Sequence, residues 1–65
     1  MPSKLEAQLL LEIAAQGGQG RPYRVRNVGR KHLMACVTAG WLSLLVDDGT
    51  VVEITPEGRA VIGSP

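Results

Sequence analysis

Five of the seven Lys and Arg side chains lie between residues 21 and 32, in the stretch RPYRVRNVGRKH, which holds no Asp or Glu. Cations at that density suit the neutralisation of phosphates, because each contact with a nucleic-acid backbone releases a condensed counterion. Residues 22 to 26 alternate, setting Tyr23 and Val25 on one face of a short strand and Arg24 and Arg26 on the other. From Arg30 a helical period begins, so Arg30 and Lys31 fall in a first turn, where the helix N-terminus itself favours anions. Thr38 is the remaining hydrogen-bonding side chain on the outward side of that helix. The same cations would equally solvate a sheet edge and discourage foreign strands from pairing with it. Residue type alone does not separate these uses.

The other reactive groups point to structure more than to chemistry. Cys36 is the single cysteine, so no internal disulfide forms, and it falls on the inward side of its helix with Leu33 and Val37. No His, Asp or Asn stands in a relation to it that would make it a nucleophile. His32, next to the basic pair, suits a phosphate contact or ordinary packing. Asp47 and Asp48 need no metal to account for them, since Asp-Gly is a turn signal. Gly17, Gly18 and Gly20 follow a helix rather than a strand and no Lys-Ser/Thr succeeds them, which is not a phosphate loop. The expectation is a chain with no enzymatic activity, no metal and no cofactor.

At 65 residues the chain is read as one domain, 1–65, and a domain of this size buries only about 60% of its unfolded surface. Apolar residues make up 45% and charged residues 20%, which is the balance of a folded protein rather than a disordered one. Trp41 and Tyr23 are the only aromatics, so the core must be aliphatic, with Trp41 expected beneath a hairpin. Aliphatic side chains exceed what so small a core encloses, which favours a homodimer or a protein partner. The run Leu9-Leu10-Leu11 is too short to span a membrane, and the start lacks the features of a signal peptide. A cytoplasmic location is expected. The net charge of +1 excludes the global positivity of a histone-like protein and leaves the local basic stretch as the feature that matters.

These groups are positioned by five predicted elements. Ser3-Lys4-Leu5-Glu6 fits a capping box and starts a helix that runs to about Gln16, where the Gly17-Gly18 pair ends it. A short strand over 22–26 follows, then a helix over 30–39 stopped by Gly40. WLSLLVDDGTVVEIT predicts a hairpin with strands 42–47 and 50–55 around a two-residue Asp48-Gly49 turn. That register sets Val46 opposite Val51 and Leu45 opposite Val52. Leu45, Val52 and Ile54 then form the core face, and Leu44, Val46 and Val51 a spare apolar face available to a partner. Thr55-Pro56-Glu57 opens a last short helix. The fold class is α+β: helix, short strand, helix, β-hairpin, short helix.

Two stretches carry a resemblance. GRKHLMACVTAGWLSL resembles a recognition helix that ends at glycine and passes into a wing strand. VVEITPEGRAVI resembles the segment in which a second wing strand runs through a Thr-Pro-x-Gly-Arg pattern into a closing helix. Their order and separation are similar to the winged helix-turn-helix family, in its small bacterial or phage-type members. The resemblance implies binding to duplex DNA, as a transcriptional regulator or accessory factor, with Arg30 and Lys31 nearest the groove, Thr38 further along, and Arg24 and Arg26 on the backbone. The chain departs from the family in GGQGRPYRVRNV, where a bracing helix is usual, and in its acidic wing tip, Asp47-Asp48-Gly49. Those departures favour a second reading, a protein-interaction or dimerisation module of the same fold acting through Leu44, Val46 and Val51.

Overall fold

The computed structural model describes residues 2–22 and 28–63. In chain order the elements are α1 (Lys4–Ala15), β1 (Gln19–Gly20), α2 (Arg30–Thr38), β2 (Leu42–Leu44), β3 (Val52–Ile54) and α3 (Pro56–Val61). The three strands form one antiparallel sheet in the order β1-β3-β2, and the helices pack on it. This is the small α+β layout that the sequence predicts.

Local chemistry sets the helix ends. Ser3 and Glu6 close the capping box: the Glu6 N–H donates to Ser3 Oγ at 3.3 Å and the Ser3 N–H to Glu6 Oε1 at 2.9 Å. Beyond α1 the chain turns at Gly17, with φ +90°, and the Gly18 N–H donates to the Ile13 carbonyl. That six-to-one bond satisfies a carbonyl the helix end would otherwise leave open, and requires a residue tolerant of positive φ. Gly40 repeats the device after α2, with φ +84° and the Trp41 N–H on the Cys36 carbonyl at 2.9 Å.

The sheet includes a strand that the sequence does not predict: β1, Gln19–Gly20, pairs with Glu53 and Val52 of β3. The predicted strand over 22–26 lies, apart from Pro22, outside the described residues. The turn that ends α1 delivers the chain directly to the sheet edge: the Ile54 N–H donates to the Gly18 carbonyl at 2.8 Å, and Gln19 Nε2 to Glu53 Oε2 at 3.0 Å.

The hairpin register is shifted by one residue from the predicted one. Leu42 faces Ile54, Ser43 faces Glu53 and Leu44 faces Val52. The turn is Val46 to Gly49, closed by the Gly49 N–H on the Val46 carbonyl at 2.9 Å, with Asp47 and Asp48 at its centre and Gly49 following at φ +81°. A turn followed by a glycine in the left-handed region uses one residue more than a two-residue loop. Because strand side chains alternate, that single residue exchanges the faces of β2, while Val52 and Ile54 keep the core side predicted for them. Leu42, Leu44, Val52 and Ile54 share the inner side, while Leu45 and Val46 are exposed.

The core comprises Leu9, Leu10, Ile13, Leu33, Cys36, Leu42, Val52 and Ile54, with Trp41 half-buried against it as expected. The Thr-Pro-Glu-Gly segment joins α3 to this core. The Thr55 hydroxyl accepts the Gly58 N–H at 3.0 Å and donates to the Gly40 carbonyl at 2.6 Å, while the Thr55 N–H donates to the Trp41 carbonyl at 3.0 Å. One residue therefore caps α3 and ties it to the end of α2. Gly58 is buried where a Cβ would run into the Trp41 carbonyl oxygen, so glycine is required here by close approach rather than by φ.

Candidate nucleic-acid interface

The candidate site is the outward side of α2. Its residues divide by helical period: Leu33 and Cys36 are buried and Val37 half-buried, which leaves Arg30, Lys31, Met34, Ala35 and Thr38 on the exposed side. These are the outward positions that the sequence predicts. Arg30, Lys31 and Thr38 are thus brought to one exposed surface, along a helix about 13 Å long at 1.5 Å per residue. Arg24 and Arg26, the predicted backbone contacts, lie outside the described residues.

The N-terminus of α2 is capped in an unusual way. Gly29 occupies the N-cap and has no side chain to offer the first turn, while His32 reaches back so that its Nδ1 accepts the Gly29 N–H at 3.1 Å. His32 takes the part that Glu or Gln plays in a capping box, with Nδ1 as the acceptor. By residue type alone, His32 suits either a phosphate contact or packing. Capping was missed, although its position three residues after Gly29 was a readable signal.

The hairpin tip lies beside this helix start. Gly49 is buried, and a Cβ there would stand 3.2 Å from Leu33 Cδ2. Between tip and helix runs an open groove of about 200 Å³, with Pro22, Val28 and Leu33 as its apolar lining and Arg30, Asp48 and Thr50 as its polar one. Asp48 accepts the Thr50 N–H at 2.9 Å. That bond, with a smaller contribution from the positive field of Arg30, holds its carboxyl below the ordinary value of 3.8. The acidic tip therefore sits within the electrostatic reach of the basic helix start. This closeness is a tertiary fact with no signature in the local sequence.

The predicted partner face divides. Leu44 is half-buried and packs on the core, Val51 is half-buried, and Val46 is 43% exposed beside Leu45 at 47%. The exposed aliphatic pair at the tip is Leu45 and Val46: the shifted register turns Leu45 outward, and Val46 opens the turn. Cys36 is fully buried, and burial, followed by the negative field of Glu6, pushes its thiol up to about 11. At neutral pH it is a protonated core side chain and not a nucleophile. Among the described residues no group of His, Cys, Asp or Glu is placed to hold a metal ion, and no helix is long and apolar enough to cross a membrane. Comparison with protein-family models, with curated proteins and with solved structures finds no match to this chain.

Proposed function

We propose that this chain is a small DNA-binding module of winged-helix type, in which α2 meets duplex DNA. The observation that carries the reading is the composition of the exposed side of α2: two cations in its first turn, then Met34, Ala35 and the Thr38 hydroxyl, with no carboxylate anywhere on the helix. Arg30 and Lys31 supply phosphate or guanine contacts, and Thr38 a hydroxyl for a base edge or backbone oxygen. So few cations give one copy weak, salt-sensitive binding, and selectivity requires more than one copy on the DNA. The variant R30E/K31E tests this. Retention on a duplex-DNA column at low salt should fall at least about tenfold while the far-ultraviolet circular dichroism is unchanged. Unchanged retention would reject the reading.

The hairpin tip favours a second reading, a protein-interaction module. Leu45 and Val46 are exposed side by side and followed by Asp47 and Asp48, a surface that repels phosphates and suits a protein partner with an apolar, basic face.

A further inference from the structure

What the exposed side of α2 lacks narrows what it can read. Buried Leu33 and Cys36 and half-buried His32 and Val37 fix the inner arc of the helix. Helical period then sets Lys31, Met34 and Thr38 at the centre of the outer arc, with Arg30 and Ala35 at its margins. Met34 is 38% exposed although its side chain is apolar. None of these residues is Asn, Gln, Asp or Glu. The outer arc therefore offers adenine no bidentate partner, and the amino group of cytosine no carboxylate. Arg30 and Lys31 donate to guanine or to phosphates, and both lie in the first turn. Beyond them the helix presents the thioether of Met34, the methyl of Ala35, and the hydroxyl and methyl of Thr38.

We propose that this second half of α2 reads the C5-methyl group of thymine in the major groove, with Met34 as the principal contact and Ala35 and Thr38 beside it. The thymine methyl is the one apolar feature that base pairs show in that groove. The others are hydrogen-bond donors and acceptors, which Ala35 cannot pair and the Met34 thioether pairs only weakly. A polar base edge covered by these side chains loses water without gaining a partner, whereas a methyl group gains by leaving water. Helical rise sets Met34 about 6 Å along the axis from Arg30 and again from Thr38, roughly two base-pair steps each way. A cation contact at the helix start and a thymine contact further on are thus compatible on one duplex. The proposal rests on the DNA-binding reading and adds the class of site, thymine-bearing duplex DNA. RNA is disfavoured, because its uracil lacks the methyl and its deep, narrow major groove is closed to side chains.

The test titrates the whole chain at low salt against a short alternating A·T duplex and against the same duplex with deoxyuridine in place of thymidine. Every register of the first duplex shows thymine methyls, and the second removes them while keeping the hydrogen-bonding pattern. The wild type should bind the uracil duplex at least about threefold more weakly, the effect of one methyl group withdrawn from contact. M34S and M34A, at an exposed position that leaves the circular dichroism unchanged, should still bind through Arg30 and Lys31 but lose most of that difference. Equal wild-type affinity for the two duplexes would overturn the methyl contact and leave DNA binding standing. A difference retained in full by both Met34 variants would also overturn it, because uracil would then be acting through duplex shape. A chain that binds neither duplex would overturn the contact and the DNA-binding reading together.

Discussion

At the scale of single residues, the stability of this small domain depends on positions where a side chain has only one workable identity. Gly58 is the sharpest case, because a methyl group there meets the backbone carbonyl of Trp41, which cannot rotate away as a side chain could. G58A is expected to destabilise the protein by about 1–3 kcal/mol or more through overpacking, read as a lower urea midpoint. A midpoint equal to wild type would mean that α3 does not lie against the end of α2. The Thr-Pro-Glu-Gly pattern was legible as a helix start because capping is local. The second task of Thr55, its bond to the Gly40 carbonyl, was not, since it joins positions fifteen residues apart. His32 is similar: its neighbours in the sequence are cations, but its observed bond is to the backbone of Gly29. Arg30, Lys31 and Thr38 were legible as outward residues because helical period fixes orientation once the buried positions are named.

At the scale of elements, the helices agreed with the sequence to within a residue or so, and the two hairpin strands lie inside their predicted ranges but in a different register. Capping boxes and terminal glycines act over three to six residues, so their signals survive without knowledge of the tertiary fold. A hairpin has two solutions one residue apart. Asp48-Gly49 as a two-residue turn and Asp47-Asp48-Gly49 as a longer one are both sound local chemistry. The choice is made by packing: the longer turn buries Gly49 against Leu33 and turns Leu44 inward in place of Leu45. β1 was invisible for a related reason, since Gln19-Gly20 has no strand character of its own and is held by its pairing to β3. The register is directly testable. L44A should cost about 1–2 kcal/mol, a large-to-small loss reduced for a half-buried site. L45A, at an exposed site, should change stability by less than about 0.5 kcal/mol. The opposite order would restore the register inferred from sequence.

The turn also carries a pH signature. The folded protein holds the Asp48 carboxyl below its ordinary value, chiefly through the Thr50 N–H. A depressed carboxylate contributes stability that is present above its unfolded-state value and is lost as pH falls through the folded one. The tip should therefore loosen in acid, below the ordinary 3.8. The Thr50 amide resonance should report the step, and D48A should abolish it. A Thr50 shift indifferent to acid in the wild type would contradict the bond.

At the scale of the whole molecule, charge is segregated even though the net charge is only +1. The fold brings the two signs together at one end, the basic start of α2 against the acidic hairpin tip. The sequence showed both runs and could not show that they are neighbours. That arrangement limits how strongly a single copy can hold a polyanion. The exposed side of α2 is the surface proposed to meet duplex DNA. The most direct measurement is the change in amide chemical shifts as random-sequence duplex is added at low salt, followed by a rise in salt. The expected result is a set of shifts concentrated from Arg30 to Thr38 that fade as salt increases. Shifts absent from α2, or indifferent to salt, would contradict it.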